Sequence, residues 1–257
     1  MDNTEKKEVK KPSETEYLFP KKIRCTICDN VFETKVVRST KTRRMQPDFD
    51  LRPRFENIDT LKYDVYACPL CGYAAISRSF DHLTKGQIQL VKDNICVNFV
   101  SSAGAEPEFY DYKMAISRYE RALECTKVKR AKVSEIAYTT LKLSWLYRSY
   151  GDEMPETTEE EKAEKAKVRQ IQEKYYREAY DGFQKALASE DFPICGMDTF
   201  TMDYLLACLA SYFKEYSFAS KAVSNILSSQ IADRRIKDKA LDLKTVIVEA
   251  IRKETAK

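Results

Sequence analysis

Histidine is almost absent from this sequence of 257 residues, in which His82 is the single one. Nucleophilic catalysis by Ser-His-Asp or Cys-His groups, and metal catalysis by several histidines, would all depend on this one residue. The sequence also contains no glycine-rich phosphate loop, no nucleophile elbow and no spaced carboxylate pair in a recognisable context. We therefore expect a protein that is not an enzyme, in which His82 is an ordinary structural or surface residue.

Glycine is scarce as well, with six residues, whereas charged residues make up 33% of the chain. This composition favours a helix-rich globular protein over a sandwich, a barrel or a disordered chain. No stretch approaches the roughly 18 to 20 apolar residues that a membrane span requires, so we expect no membrane association. The charged segment Met1 to Lys11 does not resemble a signal peptide. We therefore predict a cytoplasmic protein in a reducing compartment.

Cysteine, by contrast, occurs eight times. In a reducing compartment cysteines serve as metal ligands or core residues rather than as disulfides. Two pairs have the spacing of metal-binding turns, because Cys25-Thr26-Ile27-Cys28 and Cys68-Pro69-Leu70-Cys71 are separated by 39 residues. Four thiolates fill the tetrahedral shell of zinc and leave no position for a catalytic water. We predict one structural zinc ion with four ligands: Cys25, Cys28, Cys68 and Cys71.

A redox dithiol is the alternative interpretation of these pairs. It requires a lowered thiol pKa at a helix start in a thioredoxin-like βαβ frame, and the sequence shows no such frame.

Gly72 follows the second pair, where a chain that wraps a metal often needs a positive φ. The remaining cysteines lie singly and are predicted to be small buried hydrophobic residues: Cys96, Cys125, Cys195 and Cys208.

Hydrophobic spacing predicts a mainly α protein that begins with a small β module. Residues 1–20 are predicted to be a disordered tail, because lysine and glutamate alternate there without apolar periodicity. A zinc-ribbon-like module is predicted over 21–80, with a strand at Val31 to Val37. A linking helix and loop follow over 81–107, and a capping box formed by Thr84 and Gln87 marks the helix start.

The last predicted unit, residues 108–257, contains a weak internal repeat. Tyr112-x-x-Ala115-x-x-x-Tyr119-x-x-Ala122 recurs from Tyr176 to Ala186 and, in a degraded form, from Tyr216 to Ile226. These offsets match the second helix of a tetratricopeptide repeat, so we predict tetratricopeptide-like antiparallel helical hairpins. The insert Asp152 to Lys174 is predicted to be a solvated helical extension, and an amphipathic helix from Arg234 to Lys253 to cap the stack.

The loop between the cysteine pairs is basic. Residues 21–80 carry 12 basic and 7 acidic side chains, an excess of +5. Phosphate neutralisation by such a loop, with stacking on Phe49 and Phe55, would allow contact with RNA or DNA. An acidic protein surface is the competing partner. The candidate contact residues are Lys35, Arg38, Lys41, Arg43, Arg44, Arg52 and Arg54.

The cysteine region also resembles a known family. The resemblance is carried by Cys25-Thr26-Ile27-Cys28, Asp48-Phe49 and above all the block from Tyr63 to Ala75, which ends in Cys-Gly-Tyr-Ala-Ala. This pattern is similar to the bacterial family called domain of unknown function 2225. The resemblance implies a cytoplasmic bacterial protein with a zinc site, tetratricopeptide-like helices and no known reaction. Members often carry a further cysteine after the Asp-Phe pair, where this chain has Asp50.

Taken together, these patterns predict a non-enzymatic zinc protein that acts as a scaffold. The groove of a tetratricopeptide-like stack commonly receives a partner peptide, so we expect a protein partner, and self-association could extend so short a groove. The alternative is a nucleic-acid-associated factor that uses the basic loop.

Overall fold

Helix dominates the chain, as the composition predicts. The computed structural model describes residues 13–101, 104 and 106–255. Within them lie four strands, β1 (Leu18–Arg24), β2 (Val31–Val37), β3 (Val65–Ala67) and β4 (Ala74–Ile76), and seven α-helices. The helices are α1 (Lys85–Asn94), α2 (Tyr112–Val128), α3 (Val133–Glu153), α4 (Glu159–Ser189), α5 (Thr199–Tyr212), α6 (Tyr216–Ser228) and α7 (Arg234–Thr255).

The β module consists of two antiparallel pairs of strands. In the first pair Ile23 of β1 faces Phe32 of β2, and both side chains are buried. In the second pair Val65 of β3 faces Ile76 of β4. Two-stranded sheets are marginal by themselves in water, so the module depends on the helices that cover it.

The ordered part of the chain begins earlier than the sequence predicts. The disordered tail predicted for residues 1–20 is wrong for 13–20, which form a 3-10 helix (Glu14–Tyr17) and the start of β1. Leu18 is buried in a cluster with Ile58, Tyr63 and Tyr110, and this buried apolar surface offsets the entropy of ordering the segment. Residues 1–12 lie outside the described residues.

Helix α1 joins the module to the larger helices. The predicted capping box at Thr84 and Gln87 is present, and Val91 is fully buried in the cluster that contains the cysteine pairs and Cys125 of α2. The helix ends at Asn94, and Phe99 lies beyond it and packs against Gly72. Of the following loop, residues 102, 103 and 105 lie outside the described residues.

The larger helices pack as successive hairpins. Neighbours α2 and α3, α3 and α4, α5 and α6, and α6 and α7 are in contact, and the short connections between them make the paired helices antiparallel. The repeat positions form the core, since Tyr119, Ala122, Phe183 and Ala186 have no exposed surface. The helical extension predicted for Asp152 to Lys174 is confirmed from Glu159 onward, because α4 runs unbroken from Glu159 to Ser189. Asp152 instead lies at the end of α3, and residues 154–158 connect the two helices.

The module and the helices share one hydrophobic core. Leu61, Val65 and Ala74 belong to the same buried cluster as the helices α2 to α7, and α2 packs against both β3 and β4. The domain boundary predicted at residue 107 therefore does not separate two hydrophobic cores, because the residues on both sides of it contribute to the same one. No helix in the described part of the chain has the length and apolar character to cross a membrane.

Candidate metal centre and the basic loop

The first cysteine pair lies in a tight turn between β1 and β2. The backbone N–H of Cys25 donates to the carbonyl oxygen of Asn30, and the N–H of Asp29 donates to that of Cys25, both at 2.8 Å. Asp29 has a φ of 64°, a left-handed conformation that aspartate tolerates better than most residues. Its carboxylate is held by Arg24 at 2.7 Å and 2.5 Å.

The second pair repeats this turn between β3 and β4. The N–H of Cys68 donates to the carbonyl oxygen of Tyr73 at 2.8 Å, and the N–H of Gly72 donates to that of Cys68 at 3.1 Å. The φ of Gly72 is 79°, which confirms the predicted positive φ. A Cβ atom there would lie 2.6 Å from Cγ of Phe99, so glycine is required for packing as well as for conformation.

The two turns bring four sulfur atoms together. The Sγ atoms of Cys25 and Cys71 are 3.6 Å apart, those of Cys28 and Cys68 are 3.7 Å apart, and all four lie within 4.8 Å of one another. A tetrahedral ion with bonds of about 2.3 Å to sulfur requires sulfur atoms separated by about 3.8 Å. The four side chains therefore fit one metal ion, and they are the ligands that the sequence predicts.

The charge on these thiols supports the same interpretation. Hydrogen bonds from the Cys25 and Cys71 thiols lower the pKa of Cys68 to about 2. The same sharing of protons raises the pKa of Cys25 to about 12 and also raises that of Cys71. A divalent ion supplies positive charge that stabilises its sulfur ligands as thiolates.

The other cysteines differ from this group. Burial raises the pKa of Cys125 to about 11 and that of Cys208 to about 12, and burial also raises the pKa values of Cys96 and Cys195. A raised pKa reduces the fraction of reactive thiolate. His82 is exposed. Among the residues that the structure describes, the four clustered cysteines form the group that could hold a metal.

The seven basic candidate residues between the cysteine pairs differ in their exposure and in their partners. Lys41, Arg43, Arg44 and Arg54 are exposed, although Arg43 and Arg54 have acidic neighbours at 3.8 Å and 3.9 Å. Arg38 is exposed as well and Lys35 is half-buried, and both side chains have a partner within the module. Lys35 pairs with Glu33 at 3.4 Å, and Arg38 donates to the carbonyl oxygen of Leu18 at 3.0 Å.

Arg52 is the exception, because only 4% of its surface is exposed. Its guanidinium binds Asp48 at 2.5 Å, Ser149 Oγ at 3.1 Å and Asp152 at 3.4 Å. The prediction that it contacts nucleic acid or a partner is therefore wrong. Asp152 opens the acidic insert, so Arg52 instead ties the loop to the chain's own helices.

The loop that carries Arg52 is itself a small hairpin. The N–H of Met45 donates to the carbonyl oxygen of Arg54 at 2.9 Å, and the N–H of Glu56 donates to that of Arg43 at 3.0 Å. These paired arms end in residues 47–53, which we call the loop tip. The loop tip docks on the helices.

Asp50 anchors the loop tip and was not predicted from sequence. Its Oδ2 atom accepts hydrogen bonds from Trp145 Nε1 at 2.8 Å, Arg148 Nη2 at 2.7 Å and Tyr176 Oη at 2.8 Å, and only 4% of Asp50 is exposed. Burial opposes ionisation, but Arg148 and the other donors outweigh it and hold the pKa of Asp50 below its usual value. The sequence offered one signal of this contact, the single tryptophan Trp145, because a buried indole N–H needs a hydrogen-bond acceptor.

Comparison with known proteins identifies the family of the chain without assigning an activity. No curated protein and no solved structure matched the sequence, so the likeness to tetratricopeptide repeats remains a prediction. A family model does match, over residues 18–247. That range contains both cysteine pairs, the loop tip and all but the end of α7. The chain therefore belongs to the family described as an uncharacterized protein conserved in bacteria (DUF2225).

Proposed function

We propose that this chain is a non-enzymatic zinc-binding protein that acts as a protein–protein interaction scaffold. The observation that carries the proposal is the set of four clustered sulfur atoms, which can close the coordination shell of one ion. A closed shell leaves no position for a substrate or a water. When bound, the ion supplies a structural cross-link between the two cysteine turns.

Zinc is the metal that the ligands favour. Four thiolates in a tetrahedral arrangement suit zinc or iron, whereas magnesium and calcium prefer oxygen ligands. Cys25, Cys68 and Cys71 are buried, and a reducing, cytoplasmic compartment would keep all four thiols available for metal. The two cysteine pairs lie in turns between strands, β1–β2 and β3–β4, rather than at the start of a helix, and this placement argues against the alternative of a redox protein.

Zinc content is the direct test of this part of the proposal. We expect freshly purified protein to contain one zinc ion per chain by plasma mass spectrometry. The Cys28→Ser variant should lose most of this zinc, because it removes one of four ligands. The Cys96→Ser variant is the matched control and should retain it. Metal-free protein with four titratable thiols in this region, or one iron per chain, would overturn the assignment.

The scaffold part of the proposal is supported by the helices. About half of the chain forms helical hairpins around a shared core, and helical arrays commonly present long surfaces to partner proteins. The cysteine cluster and the absence of a recognisable catalytic group both favour binding over catalysis.

Nucleic-acid binding is the second candidate, supported by four exposed basic side chains near the loop hairpin. Lys41 and Arg44 have no acidic partner among the described residues, and the side chain of Arg43 is 84% exposed. Backbone phosphates would bind such side chains in a salt-dependent way.

Affinity capture from the cell lysate, with and without nuclease, separates the two candidates. The scaffold function predicts that the same partner protein is retained after nuclease and by an Arg43→Glu/Arg44→Glu variant. The nucleic-acid function predicts that retention collapses in both cases. A Lys162→Glu/Lys167→Glu variant changes the net charge equally at exposed positions on α4 and serves as the control. Absence of any retained protein after nuclease would contradict the scaffold function.

A further inference from the structure

The loop tip meets the helices as a bound peptide meets a receptor. Asp50 contacts α3 and α4, Arg52 contacts α3, and the carbonyl oxygen of Phe49 accepts a hydrogen bond from Cys208 Sγ of α5 at 3.3 Å. These helices are close together in the fold but distant from the loop in sequence. The loop tip thus occupies a site that is formed by α3, α4 and α5.

Backbone hydrogen bonds within the loop tip help to fix its conformation. The N–H of Leu51 donates to the carbonyl oxygen of Asp48, and the N–H of Asp48 donates to that of Arg52, both at 3.0 Å. Leu51 has a φ of 67°, a strained conformation for a branched side chain that persists only where the surroundings enforce it. A separate peptide must adopt the same turn to bind this site, and the two hydrogen bonds within the turn offset part of the cost of ordering it.

The site on the helices is selective for two charges placed two residues apart. Trp145, Arg148 and Tyr176 supply three donors to a single carboxylate oxygen. Beside them, Ser149 and Asp152 accept from the Arg52 guanidinium. The recognised unit is therefore Asp-x-Arg. A peptide without the carboxylate would leave the buried donors of Trp145 and Tyr176 without an acceptor, and a peptide without the guanidinium would leave the buried Ser149 Oγ without this donor.

Each end of the segment that carries the loop tip leads to one of the cysteine pairs. The 39 residues between Cys28 and Cys68 are fixed at both ends when one ion binds both cysteine pairs. Loss of the ion frees the Cys28 end of this segment, whereas Leu61 and Val65 near the other end still pack in the helical core. Loss of one of the two constraints raises the entropy cost of bringing the loop tip to the helices and lowers its effective concentration there.

We propose that α3, α4 and α5 form a peptide-binding site for an Asp-x-Arg segment, that the chain's own loop tip occupies this site, and that loss of the metal opens it to a partner carrying the same pair of residues. The proposal rests on the scaffold function, because it names the chemistry of the partner. It also places the metal in a regulatory position, since the ion holds the competing segment in place.

A labelled peptide with the sequence of residues 46–54 tests the proposal by fluorescence polarisation with the full chain. We compare the metal-loaded protein, the protein treated with a chelator, and a metal-loaded Asp50→Asn/Arg52→Gln variant whose loop tip has lost both charges. Because the loop tip competes with the peptide, we expect the second and third samples to bind at least about tenfold more tightly than the first. A peptide with the same two substitutions is the control and should not bind.

The fluorescence of Trp145 reports directly on whether the loop tip has left its site on the helices. Its indole N–H binds Asp50, and only 4% of the residue is exposed, so departure of the loop tip should shift its emission to longer wavelength and increase quenching by acrylamide. Circular dichroism at 222 nm must show that the helices remain folded in the same sample.

Each outcome decides part of the proposal. Failure of the peptide to bind the folded double-substituted variant overturns the binding site. Equal binding with and without metal, unchanged Trp145 emission after chelation, or loss of the helices on chelation overturns control by the metal. Specific peptide binding together with failure to capture any partner would leave the site in place and reject the scaffold function, so the two failures are distinguishable.

Discussion

Replacement of Cys25 or Cys71 by serine is expected to unfold the β module and to lower the stability of the whole chain. Structural zinc contributes about 10 to 16 kcal/mol to the folding of small zinc peptides, which is comparable with the roughly 5 to 15 kcal/mol that stabilise a typical domain. The two-stranded sheets cannot replace this contribution. Helices α3 to α7 contribute most of the large buried cluster, so they should keep most of the helical signal.

Thermal and urea unfolding, followed by circular dichroism and by resistance of the module to proteolysis, measure this effect. Cys125→Ser removes a buried thiol that lies in the same cluster but outside the four ligands, so its effect should be much smaller. A soluble Cys71→Ser variant with an unchanged melting temperature would contradict a structural role for the metal.

Asp50→Ala is expected to lower the free energy of unfolding at pH 7 by about 3 to 5 kcal/mol, the usual cost of breaking a buried ion pair. The substitution leaves the Arg148 guanidinium without its closest carboxylate, and Trp145 and Tyr176 lose their acceptor. Asp181→Ala is the matched control. Its partner Arg177 lies at 3.1 Å, but both side chains are 45% exposed, so the loss should stay below about 1 kcal/mol.

The pH dependence of the Asp50 effect follows from the direction of its pKa shift. The folded-state pKa lies below the ordinary value, so the stabilisation is fully present above the unfolded-state pKa of about 3.9. It is lost as the pH falls through the lower, folded-state pKa. Urea unfolding of the two proteins should therefore give a difference that is constant near neutral pH and narrows below about pH 4. A difference that instead grows on acidification would show that Asp50 is protonated in the folded protein.

Local sequence signals predicted the regular elements well. The strand Val31–Val37 has the predicted bounds, and the capping box at Thr84 marks the start of α1. The spacing of Tyr119 and Phe183 with their neighbouring alanines identified buried helix faces. These features depend on residues within a few turns of one another, which is why periodicity and capping reveal them.

The metal ligands were equally predictable, but the docking of the loop tip was not. Two close cysteine pairs carry their own spacing signal, and the structure brings all four sulfurs together. The burial of Asp50 and Arg52 depends instead on helices about 100 residues away, so nothing near them in sequence distinguishes them from the solvated charges of a basic loop. The order in residues 13–20 was missed for the same reason, because Leu18 packs on side chains that lie far along the chain.

The hydrogen bond between Cys208 and the carbonyl oxygen of Phe49 joins residues that are 159 positions apart, and this separation has a consequence during synthesis. At about 5 to 20 residues per second, a ribosome needs roughly 8 to 32 s to translate from one to the other. Both cysteine pairs emerge well before α5, so the four cysteines of the nascent chain are available to bind a metal ion while the helices that contact the loop tip are still incomplete. The order of translation therefore favours loading of the metal before the loop tip docks.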